Sequence, residues 1–223
     1  MTNAVIFDMD GVIFDTERIW IECWSPVGQA HGIRDIEKVL REQCVGITAA
    51  SMKANLLETY GADFPYDQYV KEAIAVFKAR YGLTPPMKPG VETLLRFLRE
   101  SGAPLALASS TGTKTIRAEL AASGLLAFFD VITGGEEVGR SKPAPDIFLL
   151  AARRLGVEPA RCFVIEDSYN GIRAARAAGM RPIMVPDLLA PDGEMRETAE
   201  AILPSLDAAR DYLRGQGLEP TKT

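Results

Sequence analysis

Short, uninterrupted apolar runs recur along the chain, and each of them leads into a polar or small residue. The first occupies residues 4–7 and stops at Asp8. The same pattern returns later at residues 105–108, 131–132, 163–165 and 182–185. Runs of this kind are typical of strands that are buried on both faces of a parallel sheet.

Segments with helical periodicity lie between the later runs, and a glycine follows each of them. They cover residues 91–100, 114–122, 146–155 and 171–178. Glycine just past a helix is a common stop signal, because it adopts the left-handed backbone conformation easily. The alternation of strands and helices predicts an α/β fold built on a doubly wound parallel sheet.

Residues 16–85 break this alternation, since they show helical periodicity and no convincing strand. Val70, Ile74, Phe77 and Tyr81, for example, fall on one helical face. The stretch ends at a pair of prolines. We therefore predict a catalytic core of residues 1–15 and 86–223, an inserted all-helical cap of residues 16–85, and a polar tail from residue 215 onward.

Composition narrows the classes of partner. The chain has 223 residues, 47% hydrophobic and 25% charged, with a formal net charge of −5. An acidic protein gives nucleic acid no general attraction. No apolar stretch approaches the length of a membrane span. Three scattered cysteines suggest neither a disulfide framework nor a CxxC metal motif. We expect a cytoplasmic protein without nucleic-acid or membrane partners, with a monomer as the default state.

Polar residues whose side chains could bind a ligand or take part in a reaction follow the predicted strands, and one lysine lies in a loop. Each alone has a simpler explanation, such as a turn, a helix cap or a surface charge. Ligands of open α/β sheets gather beyond the carboxyl ends of the strands, so these residues are expected to meet. Carboxylates, hydroxyls and one ammonium group suit Mg²⁺ beside a phosphate. The set comprises Asp8, Asp10, Ser109, Ser110, Lys142, Glu166 and Asp167.

The same residues lie in motifs that resemble those of the haloacid dehalogenase-like hydrolases. Residues 8–16, DMDGVIFDT, resemble the first motif of that superfamily, and the others follow in its order: LASS at 107–110, SKPAPD at 141–146 and IEDS at 165–168. The motifs span nearly the whole chain. A helical insertion directly after the first motif is similar to the subfamily of β-phosphoglucomutase and many sugar-phosphate phosphatases.

The resemblance assigns roles to the carboxylates. Asp8 would be the nucleophile that forms an aspartyl-phosphate, and Asp10 the group that protonates the leaving oxygen and then accepts a proton from water. Mg²⁺ would be held by Asp8, the backbone carbonyl of Asp10, Glu166 and Asp167.

The resemblance also implies groups that bind the phosphate. Hydroxyls and one ammonium group would contact its oxygens, and a glycine would allow the turn after the nucleophile to bring its amides close. Two further residues would support the substrate or the nucleophile. The full set is Gly11, Thr16, Ser109, Ser110, Lys142 and Asn170.

Substrate choice is expected to lie in the cap. Trp20, Trp24, Gly46 and Ile47 are the candidates to face the substrate, and burial of both tryptophans in the cap core is the alternative. The expected substrate is a small phosphorylated metabolite, a sugar or polyol phosphate. The predicted activity is therefore that of a magnesium-dependent phosphatase.

Two other functions stay open, and a third is disfavoured. A β-phosphoglucomutase-like phosphotransferase stays open, although such mutases have a histidine where this chain has Trp20 and an arginine near Ala49. Asp10 argues against a dehalogenase. A non-catalytic module that binds a phosphorylated metabolite also stays open, because a fold alone does not establish activity.

Two nucleotide or hydrolase motifs are disfavoured. Residues 134–141, GGEEVGRS, have the spacing of a P-loop with arginine in the lysine position, but Pro143 and Pro145 interrupt the helix that such a loop requires. A Ser-His-Asp hydrolase lacks the GxSxG elbow, and His31 is better explained as a helix C-terminal residue.

Overall fold

The computed structural model describes residues 3–45, 49–82 and 84–220. Its centre is a six-stranded sheet in the order β3-β2-β1-β4-β5-β6, in which every neighbouring pair is parallel. The strands are β1 (Ala4–Phe7), β2 (Leu105–Ser109), β3 (Val131–Gly134), β4 (Cys162–Glu166), β5 (Arg181–Met184) and β6 (Ala201–Ile202).

Helices cover both faces of the sheet. Alternate residues of β1 explain this, because Val5 and Phe7 pack in one apolar cluster while Ala4 and Ile6 pack in another. All four are fully buried. The doubly wound α/β fold predicted from the sequence is confirmed. The α-helices of the unit that contains the sheet are α5 (Val91–Glu100), α6 (Thr113–Ala122), α7 (Asp146–Leu155), α8 (Tyr169–Ala177), α9 (Gly193–Thr198) and α10 (Leu206–Gly215).

The chain forms two compact units. One comprises Met1–Phe14 with Met87–Thr223, and the other is Asp15–Pro86. These limits lie next to the boundaries predicted from the sequence. The described residues of the second unit contain helices and no strand: α1 (Thr16–Ala30), α2 (Ile36–Gln43), α3 (Ala49–Tyr60) and α4 (Tyr66–Tyr81). Within the described chain, no helix is both long enough and apolar enough to cross a bilayer.

The buried face of α4 differs from the face chosen from the sequence. Tyr66, Tyr69 and Ala73 are its buried residues, whereas Ile74 is 37% exposed. Helical spacing predicted the helix correctly, but the buried face is turned toward Tyr66, Tyr69 and Ala73, and Val70, Phe77 and Tyr81 are only half-buried. His31 lies just after α1, and its Nε2 is 2.8 Å from Glu72 Oε2.

The C-terminal region is more ordered than the sequence suggested. The expected polar tail from residue 215 is wrong for its first residues, since Leu218 is only 3% exposed and packs in the main apolar cluster. Its backbone N–H donates to Leu213 O at 3.2 Å. Gly217 has a φ of +83°, which turns the chain back onto α10.

The segment with P-loop spacing is not a P-loop. Gly135–Glu137 forms a single 3₁₀ turn, and the next α-helix begins only at Asp146. A P-loop needs a helix directly after its glycines, because the N-terminus of that helix binds the phosphate. This segment therefore lacks the helix that a P-loop requires.

Candidate active site

The site lies where the strand order reverses, between β1 and β4. Asp8 follows β1 and stays attached to β4, because its N–H donates to Ile165 O at 3.0 Å. Glu166 ends β4, and Asp167 comes next. In open α/β sheets, the crevice beyond the carboxyl ends of the strands at such a reversal is where ligands bind. The fold thus brings carboxylates together that are far apart in sequence.

Lys142 lies between two of these carboxylates. Its Nζ is 2.6 Å from Asp8 Oδ1 and 2.7 Å from Glu166 Oε1. All three side chains are buried, and the ring centroid of Phe148 is 4.9 Å from the ammonium group. Buried ion pairs of this kind are costly unless each charge is compensated, so the triad is interdependent.

The second oxygen of Glu166 is also occupied. Glu166 Oε2 accepts hydrogen bonds from Asp167 N, Ser168 N and Ser168 Oγ, each at 2.9 Å. Ser168 Oγ in turn accepts from Gly171 N at 3.1 Å and caps α8. Glu166 therefore connects the lysine to the start of a helix.

Two glycines allow carboxylates to approach the backbone. A Cβ atom on Gly171 would lie 1.8 Å from Glu166 Cδ, and one on Gly11 would lie 2.2 Å from Asp167 Oδ2. Gly11 was predicted to help its turn bind phosphate, but its N–H donates to Phe14 O at 2.8 Å. The turn therefore uses the Gly11 donor itself, the absent side chain makes room for Asp167, and the contribution of the other amides of this turn to phosphate binding stays a prediction.

Replacing Gly171 with alanine is expected to displace Glu166, because the new methyl group would overlap a buried carboxylate. We expect a loss of about 2–4 kcal/mol in the free energy of unfolding, in the range of overpacking combined with a disturbed buried ion pair. Urea unfolding of the variant and of the wild type measures this loss in the free energy of unfolding. The matched control is Gly215→Ala in α10, where a Cβ atom meets nothing within 4 Å. Equal stability of the two variants would contradict this packing role.

Hydroxyl groups of the loop after β2 hold Asp10. Ser109 Oγ donates to Asp10 Oδ2 at 3.2 Å, and Thr111 Oγ1 donates to the same oxygen at 2.9 Å. Ser109 is buried, whereas Ser110 is exposed. Thr111 was not selected from the sequence as a site residue. Its position directly after the predicted second motif, LASS at 107–110, was the available signal.

The electrostatics of the cluster favour a bound cation. Asp8, Glu166 and Asp167 each offer an oxygen, and these atoms lie within 4.8 Å of one another. Burial raises the pKa of Asp8 to about 8; Lys142 opposes this effect, while Glu166 and Asp10 add to it. Burial alone would lower the pKa of Lys142, but attraction by Asp8 and Glu166 raises it above its ordinary value. Three carboxylates against one ammonium leave negative charge that a hard divalent cation would offset.

The remaining predicted residues are dispersed. Asn170 lies in the first turn of α8, where its Oδ1 accepts from Arg173 Nη1 at 3.2 Å. Thr16 begins α1 in the helical unit. Gly46 and Ile47 lie outside the described residues.

The two tryptophans of the helical unit differ in exposure. Trp24 is fully buried, with the rings of Trp20 and Tyr66 at 6.2 and 6.1 Å, so it belongs to the core of that unit. The prediction of Trp24 as a specificity residue is not supported, because a ring enclosed in this way has no free face. Trp20 is half-buried and lines a cavity of about 50 Å³ together with Glu17 and Met52.

Comparisons with known proteins identify the family of the chain. A family model described as a haloacid dehalogenase-like hydrolase matches residues 2–179. A Drosophila melanogaster protein named "Probable pseudouridine-5'-phosphatase" is 35% identical over 82% of this chain and 80% of its own length. The phosphorylated carbohydrates phosphatase of Thermotoga maritima is 33% identical over 81% of this chain and 83% of its own.

A solved structure is similar to the whole fold of this chain. The β-phosphoglucomutase of Clostridium difficile has a TM-score of 0.77 and 25% identity, and the match covers 97% of each chain. The chain belongs to the haloacid dehalogenase-like hydrolases, in the subfamily that includes β-phosphoglucomutase and sugar phosphatases. The predictions of the superfamily and of a phosphoric monoester hydrolase are confirmed.

Proposed function

We propose that this protein is a magnesium-dependent phosphatase that hydrolyses a small sugar or polyol phosphate through an aspartyl-phosphate on Asp8. The observation that carries the proposal is the buried triad in which Lys142 contacts both Asp8 and Glu166. The names of two relatives, which refer to a phosphorylated nucleoside and to phosphorylated carbohydrates, support the substrate class. The proposal also includes that the protein is a cytoplasmic monomer that acts without nucleic-acid or membrane partners.

The nucleophilic step follows from the position of Asp8. A carboxylate oxygen of Asp8 attacks phosphorus, and the bond from phosphorus to the substrate oxygen breaks as the new bond forms. Lys142 keeps the carboxylate oriented and offsets negative charge between it and the phosphoryl group. Ser109 and Lys142 are the proposed contacts of the phosphoryl oxygens.

Proton transfer is assigned to Asp10. Its carboxyl gives a proton to the departing oxygen of the substrate, and it later takes a proton from the water that attacks the aspartyl-phosphate. Release of inorganic phosphate restores Asp8. Thr111, whose Oγ1 donates to Asp10 Oδ2 at 2.9 Å, fixes the direction of this carboxyl.

The proposed metal ligands are Asp8, Asp167 and Glu166, together with the backbone carbonyl of Asp10. Bound Mg²⁺ would reduce the repulsion between an anionic nucleophile and an anionic phosphate. The residues fit such an ion, because they are oxygen ligands in a buried cluster with excess negative charge.

Binding of Mg²⁺ is expected to strengthen as the pH rises from 6 to 8. The raised pKa of Asp8 means that without metal the folded protein holds a proton that the unfolded chain has already lost above about pH 4. The stability due to that proton is lost as the pH rises through 8. Because metal and proton compete, apparent affinity should fall by about tenfold per pH unit below this pKa.

Thermal unfolding with Mg²⁺ and with EDTA measures this linkage. We expect a larger rise in Tm on adding Mg²⁺ at pH 8 than at pH 6, and Asp8→Asn should remove most of the difference. A rise in Tm that is independent of pH would show that Asp8 does not exchange its proton for the ion.

Phosphate release from a panel of hexose, pentose and hexitol phosphates, with Mg²⁺ and with EDTA, tests the function. β-Glucose 1-phosphate is also followed by NMR. Release that depends on Mg²⁺ is the expected result. Conversion to glucose 6-phosphate without release of free phosphate would identify a mutase. Absence of turnover of every substrate would favour a binding module.

A further inference from the structure

The turn of residues 134–137, GGEE, begins at the last residue of β3 and packs directly on the loop of residues 109–113, which runs from the last residue of β2 to the first residue of α6. We call it the GGEE turn. A Cβ atom on Gly134 would lie 2.4 Å from Thr113 N, and one on Gly135 would lie 2.3 Å from Ser110 O. Neither position accepts a side chain without moving the backbone of the loop. The two glycines are therefore explained by close contact between the turn and the loop.

Hydrogen bonds join the same two segments. Gly135 N donates to Thr111 O at 3.1 Å. Thr113 N donates to Glu136 Oε1 at 2.9 Å, and Thr113 Oγ1 donates to Glu137 Oε1 at 3.1 Å. The loop is thus held at both its middle and its end, where α6 begins.

Arg154 holds the turn from α7. Its Nη2 is 2.6 Å from Glu137 Oε2, while Glu137 Oε1 also accepts from Gly134 N at 2.9 Å. Hydrogen bonds from Arg154 and Gly134 N lower the pKa of Glu137 to about 2. Glu137 is therefore ionised throughout the neutral pH range, and its contacts do not change with pH there.

The loop that this turn holds carries Thr111, whose Oγ1 donates to Asp10 Oδ2. Ser109, the last residue of β2, donates to the same oxygen and accepts a hydrogen bond from Thr111 N at 3.0 Å. A shift of the loop would move that oxygen through these hydrogen bonds. The effect of the turn on chemistry would therefore be indirect.

We propose that the GGEE turn, fixed by Arg154, is a positioning element that aligns the carboxyl of Asp10 for proton transfer to the leaving group. The inference rests on the proposed function, in which Asp10 is the general acid. Glu137 and Arg154 are positioning residues, since they act through the loop of residues 109–113.

The leaving group of the substrate distinguishes this role from a merely structural one. A sugar alkoxide is a poor leaving group that needs a proton, whereas 4-nitrophenolate leaves readily without one. Misalignment of Asp10 should slow the hydrolysis of sugar phosphates selectively. Loss of fold, metal or nucleophile would slow both substrates alike.

The experiment compares kcat for the best primary sugar phosphate of the panel with kcat for 4-nitrophenyl phosphate. The variants are Glu137→Ala, Glu137→Gln, Arg154→Leu and Gly135→Ala. We expect Glu137→Ala, Arg154→Leu and Gly135→Ala to lower kcat for the sugar phosphate by about tenfold to a hundredfold, as small misplacements of catalytic groups do. Activity on 4-nitrophenyl phosphate should stay within about threefold of wild type, because it needs little general acid. Glu137→Gln keeps an oxygen acceptor and should recover part of the loss.

Gly139→Ala is the matched control, since a Cβ atom there meets nothing within 4 Å and the residue lies in the same connection. It should behave as wild type on both substrates. Equal losses on both substrates, or no loss in the Glu137 and Arg154 variants, would overturn the proposal. Measurements on the wild-type enzyme and on Asp10→Asn distinguish failure of the proposed function from failure of the role of the turn. Absent wild-type turnover rejects the proposed function, whereas a selective loss in Asp10→Asn alone rejects only the role of the turn.

Discussion

Replacing Asp8 with asparagine is expected to reduce phosphate release by at least about a thousandfold, because a neutral amide cannot attack phosphorus and covalent nucleophiles account for losses of that size or more. The fold should persist, since the amide has almost the same shape and Lys142 retains Glu166 as a partner. Initial rates with Mg²⁺, together with circular dichroism of both proteins, measure the two properties.

The control for this variant is Asp63→Asn. Asp63 is exposed in the turn between α3 and α4, so the same chemical change there should leave turnover unaltered. Turnover by Asp8→Asn near the wild-type rate would exclude Asp8 as the nucleophile. Loss of activity accompanied by loss of the circular dichroism signal would instead show that the residue is needed for folding.

Replacing Lys142 with methionine is expected to damage both stability and activity. The change leaves Asp8 and Glu166 buried without their shared cation. Breaking a buried pair in this way costs about 3–5 kcal/mol in the free energy of unfolding. The cost should be smaller at pH 6 than at pH 8, because protonation of Asp8, whose pKa burial raises, relieves the unpaired charge.

Urea unfolding at pH 6 and pH 8, without metal, measures the effect on stability. We expect turnover with Mg²⁺ to fall by at least about a hundredfold, since preorganised charges at a reacting group have effects of that order. Lys114→Met serves as the control, because Lys114 is exposed on α6. If both lysine variants unfold at the same urea concentration, the buried triad does not stabilise the fold.

The sheet was predictable because its strands are continuous apolar runs. Residues 4–7 and 163–165 carry few polar groups, and a strand buried on both faces leaves little choice of residue. Strand β6 was missed because Ala201–Ile202 has two residues, both half-buried. Helices α9 and α10 were also missed, although serine and aspartate caps mark their starts.

The candidate site was predictable only where motifs could be matched. Asp8 and Glu166 were selected at strand ends and Lys142 in a loop, and the structure brings the three side chains into contact. Gly171 was seen as the start of a helix, since its contact with the carboxyl of Glu166 depends on packing that a linear sequence does not contain. The same applies to Glu137, whose partners come from three different segments.

The position of β1 between β2 and β4 determines when this strand can pair during synthesis of the protein. Val5 pairs with Leu105 on one side and with Phe163 on the other, so during synthesis β1 waits for β2 and lacks its second partner until β4 has been made. Contacts between residues so distant in sequence form slowly. The nucleophile at the end of this strand therefore has no active site around it until β4, with Glu166, has emerged.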